Sequence, residues 1–182
     1  MAPPILHAPE ARANATFRAL LWALSSPGSV QQLPVVGADS MRTIAEALLD
    51  LETTYYAPHP ALHGQLLRTG ARPRPAAEAL YQFYWALEHA DLAALGAAPV
   101  GSYAAPDESA TIVIGCALGA GTCVALRGPG IDGAAELRVG GLPTGFWGLR
   151  AAAGRYPLGW DIFLCDGDRL VGLPRTTTIE VR

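Results

Sequence analysis

The run Ile112-Val113-Ile114, inside the segment Thr111 to Ala117, is apolar at every consecutive position. A strand with one wet face alternates apolar and polar residues, so an unbroken β-branched run fits a strand covered on both faces. Helical patterns flank it in sequence and supply the cover. After Pro9 and Glu10, Phe17, Leu20, Leu21 and Leu24 recur at i, i+3, i+4 and i+7, a helix that Ser25-Ser26-Pro27-Gly28 ends. Met41, Ile44, Leu48 and Leu49 repeat the pattern behind Ser40 or Asp39 as N-cap. The chain therefore reads as an α/β fold, a three-layer α/β/α arrangement with a mixed sheet inside and helices outside. At 182 residues it is expected to form one domain over 9–182, burying roughly 70% of its unfolded surface, with residues 1–8 disordered.

The remaining elements follow from local composition. Short strands are expected at Val30 to Leu33 and Thr53 to Ala57, a helix at Pro58 to Leu67, and a break at Gly70 to Pro75. Tyr81 to Trp85 is aromatic and extended, while Ala76 to Leu80 and Ala86 to Leu95 suit helices. Strands at Thr111 to Ala117, Thr122 to Arg127 and Ala135 to Val139 are separated by glycine turns. Thr144 to Ala153 supplies a helix. Trp160 to Cys165 and Arg169 to Leu173 form a hairpin around Asp166-Gly-Asp168, and Thr177 to Val181 is a last strand.

No lysine occurs; all thirteen basic side chains are arginine. A Schiff base to pyridoxal phosphate needs a lysine amine, and a phosphate-cradling P-loop needs the lysine after its second glycine. Neither chemistry is open to this chain by the usual route. The net charge of -3 and pI near 5.8 lack the basic footprint of a nucleic-acid binder, and Arg68, Arg72 and Arg74 lie among loop residues. With 51% apolar and 16% charged residues, the composition suits a globule with one surface covered by a partner. An alanine- and arginine-rich genome bias accounts for the same numbers. No signal-peptide or membrane-spanning run is apparent, so a cytoplasmic protein without membrane attachment is expected. Cys116, Cys123 and Cys165 lack a Cys-x-x-Cys spacing and read as core.

Candidate polar sites are few. His59 and His63 have the i, i+4 spacing of a metal pair, but Pro58 and Pro60 disturb the register and a surface pair is the default reading. His7 and His89 have less support. Gly128-Pro-Gly130 is a turn, with Arg127 before it able to grip a phosphate or to sit at a strand end. Arg18 points off its helix's apolar stripe unless an anion claims it. In the tail, Asp161 opens an apolar strand and Arg175 closes the next, with Thr176 to Thr178 supplying hydroxyls. An Asp161–Arg175 pair bracing the hairpin is the structural reading, and ligand binding by these residues and Thr176 is the alternative. No nucleophile elbow or Ser/His/Asp set is present, and the catalytic residues are unknown.

Three segments, Arg18-Ala-Leu-Leu-Trp-Ala-Leu-Ser-Ser-Pro-Gly28, Leu126-Arg-Gly-Pro-Gly-Ile131, and Tyr156-Pro-Leu-Gly-Trp-Asp161 with Leu173-Pro-Arg-Thr-Thr-Thr178, resemble in order and spacing the H component of the bacterial carbon-phosphorus lyase system (PhnH). The resemblance runs from about residue 12 to the C-terminus. It implies a fold like the large domain of pyridoxal-phosphate-dependent transferases, here without the cofactor. It also implies an essential subunit of a core complex with G, I and J components, homodimeric when isolated. The radical chemistry would belong to J. Formation of ribose 1-alkylphosphonate 5-triphosphate from phosphonate and a nucleoside triphosphate would depend on I, with help from G, H and L. The role expected is structural and interactive. An arginine-lined module holding a phosphonate or nucleotide phosphate is the alternative, to be judged by whether Arg18, Arg127 and Arg175 converge. An independent small-molecule enzyme is a third reading.

Overall fold

A computed structural model describes residues 8–34 and 40–182. The elements, in order, are α1 (Ala8–Ser25), β1 (Gln31–Gln32), α2 (Ser40–Leu48), β2 (Thr54–Tyr56), α3 (Pro60–Leu66), β3 (Arg72–Pro73), β4 (Tyr81–Tyr84), α4 (Leu92–Gly96), β5 (Thr111–Gly115), β6 (Ala117–Arg127), β7 (Ala135–Gly140), α5 (Phe146–Ala153), β8 (Asp161–Asp166), β9 (Arg169–Leu173) and β10 (Thr178–Val181). Ala8, expected within the disordered start, opens α1; Asp39 and His7 lie outside the described residues. Among the described residues no helix is long and apolar enough to cross a membrane.

The expected mixed sheet has seven strands in the order β1-β9-β8-β5-β4-β2-β3. From β3 to β8 neighbours run parallel, and β9 and β1 close the edge antiparallel. Ile112, Val113 and Ile114 are all fully buried, as their unbroken apolar run requires. Val113, Phe83 and Phe163 pack into a core with α1, α2 and α3. Ile112, Ile114, Ile162 and Leu164 pack on the opposite face.

That opposite face departs from the expectation of helices outside. Its cover is largely a second, three-stranded antiparallel sheet, β10-β6-β7, together with α4 and α5. The glycine-rich stretch expected to separate two strands instead lies within β6, where the register against β7 shifts between Leu118 and Thr122. β5 and β6 follow almost without interruption, yet they belong to different sheets, so Cys116 marks a crossing between layers. Just before it, Gly115 lets the backbone after β4 come close: a Cβ there would lie 2.0 Å from the Trp85 carbonyl oxygen.

The face that α1 buries is also a correction. Thr16, Ala19, Leu20 and Ala23 are buried, whereas Phe17, Leu21 and Trp22 are 51%, 55% and 57% exposed. The cause lies across the interface. A Cβ at Gly172 of β9 would stand 2.5 Å from the Ala23 carbonyl, so helix and strand meet too closely for large side chains. Alanine fits at the closest approach, while Leu20 and part of Leu24 from the expected stripe pack beside it and Phe17 and Leu21 turn outward. Other expectations shift less: Ala76 to Leu80 is turn rather than helix, α4 covers only the end of Ala86 to Leu95, and the supposed break at Gly70 to Pro75 contains β3.

Candidate functional site

The three segments that carry the resemblance meet at one corner of the molecule. The turn at Gly128 to Gly130 leaves β6 and folds back against the end of α1, and a Cβ on Gly130 would lie 2.2 Å from the Ser25 carbonyl oxygen. On its other side Gly128 approaches the Thr176 carbonyl, at 2.9 Å from the position of a Cβ. Both glycines have positive φ, so backbone conformation and space both exclude a side chain. The third segment arrives through a turn in which Arg155 and Leu158 exchange backbone hydrogen bonds, and Gly159 lies against the Arg175 side chain.

At this corner Arg175 grips Asp161 with two points. Its Nη2 donates to Oδ2 at 2.6 Å and its Nε to Oδ1 at 3.3 Å, while its backbone N–H donates to the same Oδ1 at 2.8 Å. Nη1 donates to the Pro106 carbonyl. The side chains are only 19% and 20% exposed. Asp161 opens β8 and Arg175 follows β9, so the pair clamps the open end of the hairpin as the structural reading expects. It also fastens the loop at Pro106.

Thr176 lies with this pair, but the other two candidates do not join it. Arg127 is exposed and donates to the Gly133 carbonyl at 3.5 Å, and Arg18 is exposed on α1. The arginine that sequence reasoning missed is Arg150 on α5. It is 7% exposed, and donates from Nη1 to the Thr177 carbonyl at 3.1 Å and from Nη2 to the Pro174 carbonyl at 2.9 Å. The Pro174 carbonyl also accepts from the Thr177 N–H, so Arg150 locks the turn between β9 and β10. Burial lowers its pKa to about 10, against an opposing pull from Asp161. It therefore remains a cation at neutral pH. The signal was present: Arg150 is the sole charged residue of Phe146-Trp-Gly-Leu-Arg-Ala-Ala-Ala153. A cavity of about 490 Å³ opens here, walled by Arg150, Arg175, the threonines 176–178, Trp147, Tyr156 and Pro129.

The sheet topology offers a second location. β2 leads to β3 on one side and then to β4 on the other, and ligands in open α/β sheets commonly bind where the order reverses. A crevice of about 380 Å³ follows these strands, but the His59 ring packs edge-on against Trp85 at 5.1 Å within it. His63 instead meets Tyr55, at 5.6 Å, so the two histidines face different partners. Burial pushes the Cys116 thiol up to about 12 and raises Cys165 further, consistent with core roles.

Over residues 4–180 the sequence matches the family of the bacterial phosphonate metabolism protein PhnH. The chain belongs to the PhnH family. It is also 30% identical over 174 residues to HtxG of Stutzerimonas stutzeri, a protein named as a C-P lyase subunit, covering 94% of this chain and 87% of that protein. The convergent corner is thus built from the three segments that resemble PhnH.

Proposed function

We propose that this PhnH-family chain is a structural and interaction subunit of a carbon-phosphorus lyase core complex in the cytoplasm. It assembles with G, I and J partner components and supports formation of ribose 1-alkylphosphonate 5-triphosphate by I, works without pyridoxal phosphate, and pairs with a second copy when isolated. The observation that carries this reading is the outer face of α1. Phe17 and Leu21 stand one turn apart with Trp22 beside them, each about half exposed, on a helix whose opposite face is fully packed. Large aromatic and aliphatic side chains grouped in this way mark interaction surfaces. The name of the relative HtxG agrees with a subunit role.

Two measurements test the reading. Deleting the gene in a phosphonate-using host should abolish growth on alkylphosphonate and spare growth on phosphate; equal growth on both would overturn it. Leu21→Glu and Trp22→Glu change exposed positions, so each should leave the melting temperature near the parent's while reducing copurification of the other lyase components. Undiminished capture would remove α1 as the partner face.

A further inference from the structure

The positive charge of Arg150 is not neutralised by the fold. Backbone carbonyls take two of its N–H donors without contributing a net charge, and its Nε has no hydrogen-bond partner among the described residues. The buried Thr177 Oγ1 is likewise unpartnered. The carboxylate whose field reaches Arg150 is Asp161, which Arg175 already holds in a two-point pair. Both residues with unpartnered atoms line the 490 Å³ cavity, and no carboxylate lines it. Two arginines against one carboxylate leave an excess positive charge beside a space of ligand size.

We propose that this cavity binds the phosphate or phosphonate group of a small organic molecule, held by Arg150 with the hydroxyls of Thr176 and Thr177, its organic part lying against Trp147 and Tyr156. A guanidinium and successive hydroxyls supply donors from several directions, which suits a tetrahedral oxyanion. The Thr177 hydroxyl, covered in the free chain, reaches a ligand by rotation about its own Cα–Cβ bond, whereas Arg150 stays held at both Nη atoms and acts through its charge. The site differs from one formed by Arg18, Arg127 and Arg175, since neither Arg18 nor Arg127 lines the cavity, although Arg127 stands opposite Thr178 in the β6–β10 register. The choice of phosphorus among oxyanions rests on the family's place in phosphonate metabolism; the excess charge does not.

Calorimetry and phosphorus NMR on the purified full chain test it, with methylphosphonate, inorganic phosphate, adenosine 5′-monophosphate and sulfate as probes. At least one phosphorus probe should bind saturably below about 10 mM. Tighter binding of the nucleotide assigns the site to nucleotide phosphate, and tighter binding of methylphosphonate assigns it to the phosphonate. Arg150 also locks a turn, so its substitution could unfold the chain; Ala151→Glu avoids this. Ala151 is exposed on α5 and lines the cavity, and the added carboxylate should weaken binding by about tenfold or more with little change in melting temperature. Thr176→Ala should weaken it less. No saturable binding by any phosphorus probe, or binding unaltered by Ala151→Glu, overturns the proposal. Equal affinity for sulfate overturns the assignment to phosphorus. Loss of phosphonate growth on deletion, with no binding by the chain, would sink the site and leave the subunit role standing.

Discussion

Asp161 and Arg175 show how far a single pair can be read from sequence. A carboxylate opening an apolar strand needs a partner, and the arginine at the end of the following strand lies opposite it once the hairpin closes. Because both side chains are four-fifths buried, Arg175→Ala should lower unfolding free energy by about 3 kcal/mol, measurable by urea denaturation, as it strands the carboxylate. Arg175→Lys should recover part of the loss, since an ammonium keeps the charge but not the planar two-point grip. A parent-like urea midpoint for Arg175→Ala would show that the pair does not brace the fold. Arg150 was not legible in the same way. Its sequence announces a cation in an apolar helix, but its partners are carbonyls of another segment, and carbonyls leave no mark in side-chain identity.

The α1 helix shows the limit of periodicity at the scale of an element. Its sequence has enough apolar residues for two overlapping stripes, and spacing alone favoured the one with larger side chains. The choice was made by the sheet, because Gly172 lets the α1 backbone at Ala23 approach β9 more closely than a larger side chain at that point permits, leaving Leu20 buried beside it and Phe17 and Leu21 outside. Gly172→Ala should therefore destabilise the protein by about 1 to 3 kcal/mol or more, as the added methyl must displace helix backbone rather than a flexible side chain. Gly148→Ala on α5 is the control. Nothing lies within 4 Å of its Cβ position, and replacing a helical glycine should raise stability by about 0.5 to 1 kcal/mol. Thermal melts of the two variants should shift in opposite directions; equal shifts would refute close α1–β9 packing as the cause. The Arg12–Glu46 pair between α1 and α2 is exposed and adds little to this docking, and Arg42 pairs with the same Glu46 within α2.

For the whole molecule, buried acids set the response to alkaline pH. Burial raises the pKa of Cys165, of Cys116 to about 12, and of Tyr55, Tyr81 and Tyr84, with Asp50 adding to the shift of Tyr81 and Tyr56 and Asp91 to that of Tyr84. The folded state holds these protons after the unfolded chain has released them, so stability is retained below about pH 9 and falls as pH rises past the ordinary cysteine and tyrosine ranges. Arg150 acts oppositely above about pH 10, because its lowered pKa lets the folded state release that proton first. Five groups outnumber one, and urea midpoints should decline from pH 9 to pH 11; a flat profile would contradict this linkage. Sequence by itself determined the class of the fold, the hairpin, the covered central strands and the exclusion of lysine chemistry, because each depends on which residues avoid water or on which side chains exist at all. Tertiary structure decided that a second sheet covers one face, that α1 turns its bulky side outward, and that Arg150 rather than Arg18 or Arg127 joins Arg175 at the cavity. Those outcomes depend on which distant segments meet and how closely their backbones approach, and local periodicity carries no record of either.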